Sequence, residues 1–164
     1  MKDRSTIALL IKELENDYSY IEDGARLLGK AILRVEATLW SDELDLMAHG
    51  GCLHSLFNAF DAYFFRVAKF FENNIDQQAW HRDLLDRMTL EIPGTRAALI
   101  TDPELAERID ELRRFRHFFR NLYKASLSAA KIKIVYEAAR GISEAFFPMH
   151  RAFCSWLVSV AEAL

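Results

Sequence analysis

The residues of this 164-residue chain that are best suited to chemistry lie between positions 113 and 133. This segment holds seven Arg and Lys residues and no Asp or Glu, although the whole chain carries a net charge of -3. Guanidinium groups offer paired donors that match the oxygens of a phosphate. The segregation of charge therefore predicts either a local phosphate-binding surface or a solvated charged face.

The spacing within this segment predicts a helix with two different sides. At roughly 100° per residue, basic and polar residues share one side, and aromatic and aliphatic residues share the other. We expect the apolar side to enter the core, and the basic side to face water, a partner or phosphates. The basic side holds Arg113, Arg116, His117, Arg120, Tyr123 and Lys124, and the apolar side holds Phe115, Phe118, Phe119 and Leu122.

The elements that must position this segment are predicted to be helices throughout. Apolar residues alternate three and four apart from Ile7 to Leu39 and again from Ile132 to Val160, which predicts a long helix at each end. We expect Pro148 to kink the last helix. No alternating strand pattern is present, and only 6 Gly and 3 Pro are available for turns. The fold class is therefore predicted to be all-α, an antiparallel bundle of about five helices with long terminal helices.

Boundary signals divide the middle of the chain. Ser41 and Asp42 supply cap chemistry for a second helix. Gly50-Gly51 is expected to bend or interrupt this helix, and Asn73-Asn74 to end it. A third helix is predicted over about 77–88, followed by a loop over 91–100. Thr101 is expected to cap the fourth helix, with Glu104 completing a capping box, and this helix is predicted to run to about Tyr123.

Length and composition limit the classes of protein that the chain can belong to. We expect one domain over residues 1–164, with a hydrophobic content of 51% sufficient for a core. The sequence shows neither a signal-peptide layout nor an apolar run long enough to span a bilayer, so a cytoplasmic protein without membrane association is predicted. Two distant cysteines, Cys52 and Cys154, give no disulfide framework.

Two further patterns are weighed as binding sites and set aside. The stretch from Gly24 to Lys30 has P-loop spacing, but it lacks the following Ser or Thr and lies in a helical pattern. His49, Cys52 and His54 match no standard zinc spacing and have no evident fourth ligand. Neither a metal nor a cofactor is therefore predicted.

The segment from Glu111 to Tyr123 resembles the signature of HEPN domains, specifically of the HepT-like group. That signature is an Arg, a polar residue, a short spacer, a His, one residue and often a Tyr. Arg116, His117 and Tyr123 occupy the Arg, polar and Tyr positions, whereas Asn121 occupies the position of the His. Two other stretches, 53–61 and 80–94, also resemble the HepT-like group, so the likeness extends over most of the chain.

The resemblance implies a metal-independent RNA endonuclease that acts as a homodimer and is the toxin of a toxin-antitoxin pair. In such enzymes the 2′-hydroxyl attacks the adjacent phosphate, an Arg stabilises the phosphate charge and a His moves protons. The expected catalytic residues are then Arg116, His117 and Asn121. The expected RNA-phosphate contacts are Arg113, Arg120 and Lys124. The implied partner is a minimal nucleotidyltransferase antitoxin that can add AMP to Tyr123.

Asn121 bears directly on the expected activity. An amide does not exchange a proton near neutral pH, whereas an imidazole does, so cleavage is expected to be impaired. His117 lies one helical turn earlier and is a candidate substitute. The alternative to an impaired enzyme is a non-catalytic homologue that binds RNA or the nucleotidyltransferase. An engineered inactive toxin and a helical protein of unrelated role are the further alternatives.

Overall fold

The computed structural model describes residues 3–72 and 80–164. Within these residues the chain forms six α-helices and no β-strand, which confirms the predicted all-α bundle with long terminal helices. The only β-type pairing among these residues is an isolated antiparallel bridge between Ile92 and Arg96, in the predicted loop. The helices are α1 (Arg4–Ala37), α2 (Glu43–Phe71), α3 (Trp80–Met88), α4 (Pro103–Arg120), α5 (Ala129–Ala139) and α6 (Ile142–Glu162), and a 3₁₀ turn covers Leu122–Lys124.

The two predicted apolar seams meet in a common core. Helix α1 packs along both α2 and α6, and α4 packs on α2 and α5. The α1 seam packs in this core from Ile7 to Val35. The prediction is wrong at Leu39, which lies beyond the end of the helix and is 86% exposed. Tyr18 in this seam donates a hydrogen bond of 3.1 Å to the carbonyl oxygen of Ser143, which fixes α1 to the start of α6.

Helix α2 is continuous through Gly50-Gly51, so the predicted interruption at this point is wrong. A Cβ on Gly50 would lie 2.8 Å from Cε2 of Phe119, whereas one on Gly51 would meet nothing within 4 Å. The missing side chain of Gly50 therefore leaves room for the Phe119 ring of α4 against α2. The predicted stop at Asn73-Asn74 lies outside the described residues, as does the predicted start of the third helix.

The cap of α4 differs from its prediction by one residue. The Asp102 carboxylate accepts from the backbone N–H of Glu104 at 2.9 Å, so Asp102 is the N-cap. Thr101 instead donates its hydroxyl hydrogen to the Met149 sulfur at 3.1 Å. Asp competes well with Thr for this role, and Pro103 then occupies the first helical position.

The predicted last helix is two helices, α5 and α6, separated at Arg140-Gly141. Gly141 adopts a φ of 65°, a left-handed conformation that ends the helical path and that glycine adopts without a steric penalty. The apolar spacing continues on both sides of this break because both helices face the same core. Pro148 lies inside α6, and the kink expected there stays a prediction. No helix among the described residues is long and apolar enough to span a membrane.

Candidate functional site

Four polar side chains line one depression at the end of α4. They are Arg116, His117, Arg120 and Asn121, and the depression has a volume of about 270 Å³. Residues three and four apart are neighbours on a helix surface, so Arg120 adjoins Arg116 and His117, and Asn121 adjoins His117. The three predicted catalytic residues and one predicted phosphate contact therefore share one surface feature.

Arg116 is held from the neighbouring helix α2. Its Nε donates a 2.8 Å hydrogen bond to Oδ1 of Asn58, and its guanidinium carbon lies 5.9 Å from the centre of the Phe57 ring. Partial burial and the nearby charge of Arg120 lower the pKa of Arg116, while the charge of Asp61 acts in the opposite direction. Arg116 is thus a positioned cation at the boundary between core and solvent.

Helix α2 contributes polar residues that sequence reasoning did not assign to the site. These residues, His54, Asn58 and Asp61, lie four and three residues apart. Asn58 accepts a hydrogen bond from Arg116, His54 lies beside Asn58, and the charge of Asp61 raises the pKa of Arg116. The Asn58 amide nitrogen lies 3.4 Å from Nδ1 of His54, and the His54 ring centre lies 5.4 Å from that of Phe119. Two features of the sequence could have indicated these residues. They are spaced as on one side of a helix, next to the apolar stripe of α2, and they lie in the 53–61 stretch that resembles the HepT-like group.

Asn121 turns its side chain back onto α4. Its amide nitrogen donates a 2.8 Å hydrogen bond to the carbonyl oxygen of His117, and its backbone N–H donates to that of Phe118 at 3.0 Å. Asn121 is the C-cap of α4 and is exposed. The residue at the expected His position therefore closes the helix end and also lines the depression.

The arginines on the basic side of the predicted helix differ in the structure, because some form ion pairs within α4 and Arg120 does not. Arg113 donates from Nε to the carboxylate of Asp110 at 2.6 Å, and only 20% of its side chain is exposed. Arg114 also pairs with Asp110, which lies just outside the acid-free segment. Arg120 is exposed and has no salt bridge within the described part of the chain. Of the predicted phosphate contacts, Arg120 faces the depression, whereas Arg113 is committed to an intrahelical ion pair.

Tyr123 and Lys124 lie beyond the end of α4, so the helical projection that included them does not apply. Both belong to the 3₁₀ turn that follows Asn121. Tyr123 is 79% exposed, and the ammonium group of Lys124 lies 5.3 Å from the centre of its ring. A phenol in this position is accessible to a modifying enzyme and is close in sequence to the depression.

The two patterns set aside at the sequence level have structural roles. The stretch from Gly24 to Lys30 lies inside α1. His49 is buried against the rings of Trp40 and Tyr136, on a different side of α2 from His54. The described residues include no group of three or more potential metal ligands.

Comparison with known proteins finds a family match. A family model described as HepT-like protein matches residues 48–157, which is more than half of the chain and includes the four residues that line the depression, all of α4 and all but the first five residues of α2. Neither the curated proteins nor the solved structures contain a significant match to the chain.

Proposed function

The chain belongs to the HepT-like family, and from that premise we propose that it is a HEPN-type toxin that cleaves RNA without a metal, with cleavage weakened by Asn121. The observation that carries the proposal is the depression that Arg116, His117, Arg120 and Asn121 line together. Two arginines beside an imidazole and an amide suit a phosphodiester, because they combine charge with directional hydrogen-bond donors.

The proposed reaction is an internal transfer at phosphorus. The 2′-oxygen forms a bond to the neighbouring phosphorus, and the bond from phosphorus to the 5′-oxygen breaks. One proton leaves the 2′-hydroxyl and one reaches the 5′-oxygen, so the products are a 2′,3′-cyclic phosphate and a 5′-hydroxyl. Arg116 and Arg120 stabilise the negative charge that develops on the phosphate. His117 is the imidazole that lines the depression, and we assign it the proton transfer.

We further propose that the chain acts as a homodimer that brings two copies of Arg116 together. The exposed side of α2 supports this arrangement, because Asn58, which holds Arg116, lies on that side. Apart from Asn58, its residues are small or apolar, and all six are spaced alternately four and three apart, which suits close packing of two copies of the helix. They are Leu44, Ala48, Gly51, Ser55, Asn58 and Ala62.

The oligomeric state has a direct test. Light scattering at micromolar concentration should report a dimer for the natural chain and a monomer for Ala62→Glu, because a carboxylate would be buried at the interface. Ala152→Glu changes an exposed alanine on α6 and is the matched control, which should remain dimeric. A monomeric natural chain would contradict the dimer.

The proposed partner is a minimal nucleotidyltransferase antitoxin, with Tyr123 as the residue that receives AMP. The exposure of Tyr123 and its nearness to Lys124 support this role. A phosphate attached to the phenol would place negative charge beside the basic depression and compete with RNA for Arg120.

The experiment that tests the main proposal is an RNA cleavage assay in the presence of chelator. The natural chain and Asn121→His are compared on one RNA, and the ends of the products are identified. Cleavage that gives a cyclic phosphate and rises in Asn121→His supports the ribonuclease. Binding of RNA without cleavage by either protein supports the alternative of a non-catalytic homologue that binds RNA. Absence of both contradicts the ribonuclease and favours a non-catalytic homologue that binds only the nucleotidyltransferase.

A further inference from the structure

The hydrogen bonds around Asn58 fix the orientation of its amide. Nε of Arg116 carries a hydrogen and can only donate, so the Asn58 atom that lies 2.8 Å from it must be the carbonyl oxygen. The amide NH₂ then points at Nδ1 of His54, 3.4 Å away. Since an NH₂ group also only donates, Nδ1 must be an acceptor, and the single proton of the ring must be on Nε2.

The surroundings of His54 favour this neutral form. The ring is partly buried on α2 and packs near Phe119 of α4. Burial lowers the pKa of His54, and the positive charges of Arg116 and Arg120 lower it further. A neutral imidazole at neutral pH always has one nitrogen available as an acceptor.

We propose that His54 is a positioning residue for the depression at the end of α4: its unprotonated Nδ1 accepts from Asn58 and thereby fixes the amide oxygen that holds Arg116. The inference rests on the proposed function and adds a residue from α2, two hydrogen bonds away from Arg116. A matched pair of variants separates this role from simple packing. His54→Asn retains an acceptor near the Nδ1 position, whereas His54→Leu retains only the bulk.

The hydrogen-bond relay is tested without RNA by nuclear magnetic resonance. In the natural chain, long-range ¹⁵N spectra should show His54 protonated at Nε2 and not at Nδ1. The Nε–H of Arg116 should exchange slowly with water in the natural chain and in His54→Asn, and faster in His54→Leu. Circular dichroism checks that both variants are folded. A ring protonated at Nδ1, or equal exchange of Arg116 in the two variants, would overturn the relay.

The consequence for ligand binding is tested with a 2′-deoxy oligonucleotide, which carries phosphodiesters but has no 2′-hydroxyl to react. We expect His54→Leu to weaken binding by about two- to tenfold, the range that one net hydrogen bond contributes, and His54→Asn to leave it unchanged. The His54→Leu effect should disappear when Arg116 is already replaced by Ala, because the relay then has nothing to position. An equal loss in both backgrounds would contradict the positioning role.

The two sets of measurements separate this inference from the proposed ribonuclease. If the relay is intact but no nucleic acid is bound or cleaved, the proposed function fails and the position of Arg116 still depends on His54. If RNA is cleaved equally by the natural chain, His54→Asn and His54→Leu, the ribonuclease stands and the inference fails.

Discussion

The side-chain amide of Asn121 donates a 2.8 Å hydrogen bond to the carbonyl oxygen of His117, so the residue at the expected histidine position caps α4. Asn121 and His117 also line the same depression. An imidazole at position 121 would lie on the same surface as Arg116 and Arg120, the two arginines that we propose bind the phosphate.

Asn121→His should raise RNA cleavage by about 10²- to 10⁴-fold, the usual contribution of general acid-base catalysis, with little change in affinity. Single-turnover rates and binding to a 2′-deoxy oligonucleotide measure the two quantities separately. Asn121→Gln, which enlarges the side chain without adding a titratable group, is the control. Unchanged cleavage by Asn121→His, together with a full rate in the natural chain, would show that the proton donor lies elsewhere. His117→Ala then decides whether the neighbouring imidazole carries the residual activity.

Arg116→Ala should weaken both RNA binding and cleavage, because it removes the proposed phosphate contact itself. Arg113→Ala should change affinity by less than about threefold, since Arg113 is already paired with Asp110. Fluorescence anisotropy with a labelled oligonucleotide at fixed salt measures both variants. A larger loss for Arg113→Ala than for Arg116→Ala would mean that the RNA lies along a different side of α4.

Tyr123 should be the residue that accepts AMP when the chain is incubated with ATP and a cognate nucleotidyltransferase. Mass spectrometry of proteolytic peptides locates the added group, and Tyr123→Phe should prevent the addition. The modified chain should bind the oligonucleotide more weakly, because the new phosphate repels its backbone. Addition at Tyr20, the other strongly exposed tyrosine among the described residues, would refute the regulatory role of Tyr123.

His49 should make folding stability depend on pH. The ring is fully buried, and neither nitrogen has a hydrogen-bond partner among the described residues. Burial lowers the pKa of His49 to about 4, from an ordinary value of 6.5. The unfolded chain therefore takes up this proton more readily, so stability falls as pH drops from about 6.5 to about 4, by at most roughly 3 kcal/mol.

His49→Leu should remove most of this loss and stabilise the chain at acidic pH. Urea unfolding at pH 7 and at pH 4.5 measures the effect as a difference in the free energy of unfolding. His117→Leu replaces an exposed histidine and is the matched control, for which we expect the acid sensitivity of the natural chain. Equal acid sensitivity in His49→Leu and the natural chain would show that His49 has a partner when folded.

Gly50→Ala should destabilise the chain by about 1–3 kcal/mol, because the new methyl group would press on the Phe119 ring. Gly51→Ala should instead stabilise it by about 0.5–1 kcal/mol, since it replaces a glycine inside a helix where space is open. The midpoints of thermal unfolding of the two variants provide the comparison. Stabilisation by both substitutions would mean that α2 and α4 do not approach closely at Gly50.

The sequence by itself determined the all-α class, the positions of most helices and the segment that carries the candidate site. These features depend on periodicity, cap residues and charge segregation, which are local properties of the chain. The N-cap of α4 was misplaced by one residue for a local reason, whereas two other misplaced features had a tertiary cause. The Gly50-Gly51 pair suggests a break in a helix, but Phe119 of α4 packs close to Gly50 and α2 continues. The apolar pattern continues past the helix end at Gly141 because α5 and α6 face one core.

The composition of the candidate site was likewise decided in part by tertiary structure. Arg116, His117 and Asn121 lie within the last two turns at the end of α4, so their spacing alone predicted that they are near one another. Asn58 and Arg116 are 58 positions apart in the sequence, and only the packing of α4 on α2 brings them into contact. His54 lies on the other side of the Asn58 amide. Only the end of α4 at Arg120 separates Tyr123 from the helix. Spacing along a helix follows from its geometry, whereas contacts between helices depend on side chains distant in the sequence.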